Sequence, residues 1–438
     1  MTLPMTPRTV VSFLFRGRGR LATARQWHRQ VILASTAVCL MASALVGQTS
    51  DTIVVSATKP RHQGVAELVE EVTLGAGSDA EEFSFTRAFV APGREGGVYV
   101  IDWRGMGASS VRLYDRDGKY IRTFGRNGQG PGEYVHLVGD VRELPDGRVL
   151  LSDGLGVLVY SATGQPLGRW EAKARALNVG SSILVDPRGF IYTYGLHRTD
   201  PRATLGTLFL YRFDLNGKLT ETVPAPEAEF PTPARRARII VPFVPGYLVA
   251  WSPQGYFVTS YTATYAVDFR RAVSGSAALT VAWQQGDPVT SLRRTVPPVQ
   301  THAGERSDWR QNLTMAMRQG RTTPKWEWVG PDIPRLKPPI SGVSIARDGR
   351  VWVRLSQTAR LNSAVSIPNV PTTRMYAPKR WAEPQIYDVF EANGTYVGQV
   401  RLPDRTESFS ADGDIVWAVS NDQDDVPTVR RYRIRWAK

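Results

Sequence analysis

The sequence predicts an all-β chain: a six-bladed β-propeller with an N-terminal strand closing the last blade and a partly helical insertion. Three observations predict it. A turn-plus-strand unit recurs six times, helical periodicity is scarce after residue 65, and the sixth unit runs out one strand short. At 438 residues, 42% hydrophobic and 21% charged, the chain has the material for a large core and is not a disordered polymer. With 39 Gly and 30 Pro it is turn-rich, below the collagen range. One Cys excludes a disulfide framework and a Cys-based zinc site, and five scattered His leave little room for a His-rich metal centre.

Residues 1–50 hold six Arg (8, 16, 18, 20, 25 and 29) and no acid, followed by an apolar run from Val31 to Val46. A basic segment ahead of a short apolar run reads as a secretory signal peptide, assigned to 1–48, with Ala42-Ser43-Ala44 as a cleavage site. The run is shorter than the ~20 residues that span a bilayer, which makes an uncleaved anchor the lesser alternative. Residues 49–65 are expected to be a flexible linker and 66–438 the propeller. Cleavage removes the only Cys, Cys39, and lowers the formal charge from +14 to +8. An extracytoplasmic location, periplasmic or secreted, follows. The remaining basic residues are spread out. In the densest cluster, Arg430, Tyr432 and Ile434 alternate with Arg431, Arg433 and Arg435, the period of a half-exposed strand rather than of a nucleic-acid patch.

The recurring unit is a Gly-containing turn followed by four to six strand formers. It appears as Glu95-Gly96-Gly97-Val98-Tyr99-Val100 and again around Gly147, Gly189, Gly255, Gly349 and Gly413. A second hairpin follows each of the first five, with turns at Gly118, Gly164, Gly217, Gly275 and Gly394. Glycine suits such turns because they place residues at positive φ. Two hairpins per unit make a four-stranded antiparallel sheet, and sheets repeated radially make a propeller. The spacing stretches to 94 residues between Gly255 and Gly349, which marks an insertion at about 285–340. Seven blades is the alternative if that stretch hides a degenerate unit. After Trp417 only one strand remains, Val429 to Trp436, so the last blade lacks its outer strand. An open edge invites aggregation; Leu68–Leu74, upstream of the first blade, is expected to fill it.

Residues 111–134 run from Val-Arg-Leu-Tyr-Asp-Arg-Asp-Gly-Lys into Phe124-Gly125-Arg126-Asn127-Gly128-Gln129-Gly130-Pro131-Gly132-Glu133. This resembles the NHL-repeat signature, and more closely the exported bacterial six-bladed propellers of the NHL-repeat/TolB-like superfamily. Relatives in that superfamily include RNA-binding modules, interaction scaffolds, lyases and lactonases, so the resemblance implies a fold and no single function. The Gly-rich loop itself is read as a tight crossover between blades. A phosphate cradle would need a helix directly after it, and another strand follows instead.

No His-Glu-x-x-His, Gly-x-Ser-x-Gly or Walker loop is present. Nothing singles out His62, His136, His197 or His302 as a catalytic base. Asp102 and Asp153 end the second strand of successive units. They could bind a divalent ion such as Ca2+ or act as acid and base, but capping of turn N–H groups is the favoured reading. Asp422, Asp424 and Asp425 share one loop without EF-hand spacing and read as solvated. Within the insertion, Glu305–Gln319 is expected to be a helix with Trp309, Leu313 and Met317 on one stripe, followed by a Pro-rich stretch with Trp326 and Trp328. Bracing is the favoured reading of these tryptophans; as a binding surface, Trp309, Trp326 and Trp328 would grip a sugar or peptide. The Arg235-Arg236-Ala237-Arg238 loop is an anion contact only as a lesser alternative.

The expectation is therefore a binding or scaffold propeller, monomeric, without catalysis or cofactor. A peptide, glycan or partner protein would sit at the channel mouth under the insertion, and neither nucleic acid nor, after cleavage, membrane is a partner. The alternative is a metal-assisted hydrolase or lyase of the lactonase or streptogramin-lyase type on the same ring, using Asp102 and Asp153.

Overall fold

The computed structural model describes residues 53–437 except 57–58, 105–107, 136–137, 154, 172–182, 187–188, 198–206, 225–240, 253–255, 272–289, 319–326, 329–331, 363–379 and 423–425. The leader, the Arg235–Arg238 loop, the turns at Gly255 and Gly275, and Trp326 lie outside the described residues. So do His136, Asp424 and Asp425.

The chain is organised as consecutive antiparallel meanders. The first comprises Ala88–Pro92, Val98–Arg104, Ala108–Tyr114 and Tyr120–Phe124. The second comprises Asp140–Glu143, Val149–Ser152, Gly156–Tyr160 and Pro166–Glu171. The third comprises Ile183–Val185, Ile191–His197, Thr207–Phe213 and Leu219–Pro224. The fourth comprises Tyr247–Ser252, Tyr256–Tyr261, Ala266–Arg271 and Thr290–Arg293, with Ile53–Ser56 added in parallel to its outer strand. The last two meanders share one eight-stranded sheet. The fifth is Ile340–Ile345, Val351–Leu355, Ile386–Phe390 and Tyr396–Arg401, and the sixth is Thr406–Asp412, Ile415–Asn421 and Pro427–Arg435. Val65–Thr73 joins them. It begins parallel to the fifth meander's outer strand (Val65 opposite Gln399, Ala66 opposite Val400) and then runs antiparallel to the last strand, from Glu67 opposite Arg435 to Thr73 opposite Arg430.

The unpaired edge foreseen at the end of the chain is thus covered from near residue 70. Arg431 and Arg433 both pair with Glu71, at 3.0 and 2.6 Å, while Val429, Tyr432 and Ile434 are buried. Ile53–Ser56 and Val65–Thr73 together strap three successive meanders. Between these two strands, the N–H groups of Arg61 and His62 donate to the carbonyls of Tyr396 and Val397.

Period-two alternation explains why the second strands read as continuous apolar runs: both faces are buried, each against a different neighbour. Tyr99 and Ile101 pack toward the second meander, whereas Val98 and Val100 pack toward Trp417 and Val419 of the sixth. Leu151 faces back to the first meander and Leu150 forward to the third. Tyr192 meets Trp251 of the fourth at 4.7 Å between ring centroids. Val351 and Val353 face the fourth meander, and Trp352 the sixth. Each meander therefore packs on the next in chain order, and the last packs on the first.

The turns behave largely as their composition demands. Gly118, Gly147, Gly164, Gly189, Gly217, Gly349, Gly394 and Gly413 all have positive φ. At the first turn the left-handed residue is Gly96 (φ 80°), with Glu95 also left-handed, and Gly97 is extended. In the Gly-rich loop, Gly125 (φ 60°) and Gly132 (φ 72°) are left-handed, and a Cβ would collide with the Tyr160 hydroxyl at the first and with Pro166 at the second. Glu133 ties this loop: one oxygen accepts the Gly130 N–H at 2.8 Å and the other pairs with Arg126 at 2.7 Å. Those two contacts, the backbone N–H first, hold its carboxyl below the usual range.

The fourth meander's outer strand, Thr290–Arg293, falls inside the expected insertion, which shortens to 294–339. Thr290-Ser291-Leu292-Arg293 holds a single apolar residue, too little pattern to mark a strand from sequence. The insertion carries helix α1 (Ala303–Arg318) and a two-residue strand pair, Val299–Gln300 with Leu336–Lys337. No four-stranded unit is found in it among the described residues.

Candidate functional site

In an antiparallel meander the turns after strands one and three lie at one face, and the turn after strand two lies at the opposite face with the connection to the next meander. The innermost strands deliver their C-terminal ends to the first of these faces, where a cavity of about 560 Å3 opens. It is lined by Pro92 and Arg94, Arg142 to Pro145, Leu184 to Asp186, Ile345 to Asp348, and Ser410. Five meanders converge there. A further cavity of about 110 Å3 shares Pro92, Arg142, Ile345, Ala346 and Ser410 and reaches inward to Asp140, Ser344 and Trp352. Together they are a central channel with a mouth.

Arginines lace that mouth across meander boundaries. Arg94 of the first pairs with Glu143 of the second at 2.8 Å and donates to the Leu144 carbonyl. Arg142 of the second donates to the Ile183 carbonyl of the third at 2.6 Å. Arg347 of the fifth donates to the Gly93 carbonyl of the first at 2.7 Å. The acids of the same lining face into the turns. Asp186 accepts the Phe190 N–H and the Tyr192 hydroxyl, and Asp348 accepts the N–H groups of Arg350 and Gly413. Burial, the largest effect, raises the Asp348 carboxyl above its ordinary value, and does the same to Asp140 inside the channel despite the nearby Arg142.

The insertion lies at the opposite face, because it leaves the fourth meander after its outer strand and re-enters at the start of the fifth meander's inner strand. A third cavity, of about 830 Å3, opens beside it, between Thr264–Tyr265, Arg293–Pro298 and Leu336–Pro339. Next to it, helix α1 is held by a buried ammonium. Lys337 Nζ donates to Glu305 and Glu383, each at 2.8 Å, and to the Gln357 carbonyl at 3.3 Å, which uses its three donors. The same ammonium lies 4.8 Å from the Phe243 ring centroid. Burial raises the Glu305 carboxyl above its ordinary range against the opposing influence of Lys337.

The sequence-predicted residues fall as follows. Asp102 is fully buried; it accepts the Thr86 and Arg87 N–H groups at 2.7 and 3.1 Å and pairs with Arg104 at 2.7 Å. Asp153, also fully buried, accepts the Val135 and Leu155 N–H groups and pairs with Arg169 at 2.6 Å. Both end second strands and so belong to the insertion's face, not to the lined mouth. Trp309, half-buried on α1, meets Phe243 edge-on at 6.2 Å, and Leu313 is buried; Met317 lies in the last turn of the helix. Trp328 has the Arg310 guanidinium 5.4 Å from its ring. His62 stacks on Trp436 and His302 on Trp381, while His197 ends a strand. Asp422 accepts the Val426 N–H. Among the described residues no three His, Cys, Asp or Glu gather as a metal-ligand group, and no helix is long and apolar enough to cross a membrane.

Sequence reasoning missed Arg94, Arg142 and Arg347. They stand three, five and two residues before Gly97, Gly147 and Gly349, so no column of the repeat marks them.

No family model and no curated protein matches the chain. Among solved structures it is similar to a Bacteroides fragilis protein inferred to be exported, with 11% identity, 88% of this chain and 99% of that one covered, and a TM-score of 0.45. A member of the DUF4221 family from Bacteroides vulgatus has 10% identity, coverage of 86% and 100%, and a TM-score of 0.47. A gluconolactonase from Xanthomonas campestris has 12% identity, coverage of 85% and 91%, and a TM-score of 0.41.

Proposed function

We propose that the chain is an exported, monomeric six-bladed β-propeller of the NHL-repeat/TolB-like kind that binds a ligand without transforming it. The six meanders are its blades, and the strap closes the ring. The ligand, an acidic peptide, a glycan or a partner's surface loop, enters at the face of the first-strand turns, not under the insertion. The observation that carries this reading is the 560 Å3 mouth, a volume within the ~300–1,000 Å3 of ligand pockets, into which polar side chains of separate blades project. Against the hydrolase alternative stands the saturation of Asp102 and Asp153 by backbone N–H groups and arginines. A carboxylate so engaged is a brace and has little left for a metal or a proton in transit. Trp309 and Trp328 are read as braces of α1, which the Phe243 and Arg310 contacts support.

The test is a thermal-shift panel of sugars, short peptides and organic acids on the mature chain and on Ser410→Trp, whose indole would fill the mouth. The reading expects at least one stabilising compound whose effect disappears in the variant. A panel without hits, or hits indifferent to Ser410→Trp, would refute it.

A further inference from the structure

We infer that the mouth is selective for carboxylates and takes a ligand bearing two or more of them. The inference rests on the binding role just proposed and names its chemistry. Formal charge alone does not decide the matter: three arginines (94, 142 and 347) face three acids (Glu143, Asp186 and Asp348). Unspent hydrogen-bonding capacity does. Both oxygens of Glu143 are engaged by Arg94, through Nε at 2.8 Å and through its backbone N–H at 3.1 Å. Both oxygens of Asp186 and of Asp348 are engaged as described above.

The guanidiniums differ. Each offers five N–H donors. Arg94 spends its Nε and Nη2 on Glu143 and Leu144. Arg142 spends Nε on Ile183, with Nη2 3.5 Å from Asp140. Arg347 spends Nη1 on Gly93, with Nε 3.8 Å from Asp412. Arg94 and Arg347 are also the most accessible of these side chains, at 41% and 36%, against 26% for Arg142, 24% for Asp348 and 11% for Glu143. What the mouth presents to an incoming molecule is therefore guanidinium donors on three separate blades, each tied by one N–H to a backbone carbonyl of another blade. Anchoring lowers the entropic cost of binding, and forked donors match carboxylates in pairs. A mature chain with formal charge +8, the +14 of the full sequence less the six leader arginines, also draws anions from solution.

Calorimetric titration at low salt tests this with three probes: citrate, a blocked hexaglutamate and a blocked hexaglutamine. The inference expects citrate or hexaglutamate to bind, with affinity at least tenfold weaker in Arg347→Gln and in Arg94→Gln, and hexaglutamine not to bind. Citrate alone points to a free small acid, and hexaglutamate to an acidic protein segment; either outcome supports the inference. Because these arginines also lace blades, Arg347→Lys and Arg94→Lys serve as folded controls; retained melting with several-fold weaker binding supports a forked contact. Hexaglutamine binding as tightly as hexaglutamate overturns the selectivity while leaving a binding mouth. Failure of both acidic probes with a Ser410→Trp-sensitive neutral hit does the same. Failure of every probe and of the panel overturns both.

Discussion

Replacing Lys337 by Met should loosen the insertion from the ring. The ammonium is fully enclosed, and its three hydrogen bonds go to two carboxylates from different segments, Glu305 on α1 and Glu383 ahead of the fifth meander's third strand, and to the Gln357 carbonyl. Methionine fits the space but leaves Glu305, 4% exposed, and Glu383, 18% exposed, facing each other without a cation. Removing one partner of a buried ion pair costs about 3–5 kcal/mol. For a folded unit spanning Thr52–Lys438, at ~2.1 cal/mol/K of unfolding entropy per residue, that corresponds to a Tm lower by about 4–6 °C. The pH dependence carries the sign. Burial raises Glu305, and losing Lys337 removes the influence that lowers it. A carboxyl whose pKa is raised by folding opposes folding above that pKa and ceases to do so as pH falls through it toward the unfolded value of ~4.3. The deficit of Lys337→Met should therefore be largest near pH 7.5 and smaller at pH 5. Calorimetry at both pH values, with tryptophan emission reporting on Trp309 and Trp381, measures it. A variant that melts within about 1 °C of the parent at pH 7.5, or whose deficit is the same at pH 5, would refute the buried-cation account.

Other expectations follow from the same physics. Gly125→Ala and Gly132→Ala should each cost about 2 kcal/mol or more in urea denaturation, since each combines positive φ with a collision. Cysteines at Val69 and Arg433, opposite each other in the closing pair, should lose their free thiols on mild oxidation and raise the urea midpoint; thiols that stay titratable would mean the strap does not pair there. Asp102→Ala should destabilise by about 3 kcal/mol or more, because it strands the buried Arg112 and two backbone N–H groups, and should leave citrate affinity unchanged in the surviving folded fraction.

The strand rhythm, the hairpin turns and helix α1 were legible because each rests on local periodicity and turn chemistry. The closing strand was legible for a different reason: an outermost strand left without a partner is costly, and Leu68–Leu74 was available to meet it. The site was far less legible. Arg94, Arg142 and Arg347 come together only when the first, second and fifth meanders meet, and each lies at a different distance from its turn glycine. Lys337 was hidden in a Pro-flanked stretch that gives no hint of its two glutamate partners. Asp102 and Asp153 stood out in the repeat, as braces do, because every copy of a turn needs its N–H groups capped.

The strap also sets an order of events. The stretch near residue 70 is made ahead of the first meander, yet its mate, Pro427–Arg435, is made only after the first five meanders. Until then one end of the growing chain offers bare ladder groups, and the last seam, where Trp417 meets Val98 and Val100, stays wet. A copy clipped or stalled before Pro427 can never complete itself. Its border keeps an unpaired edge of the kind that invites aggregation, so closure of the ring waits on Pro427–Arg435.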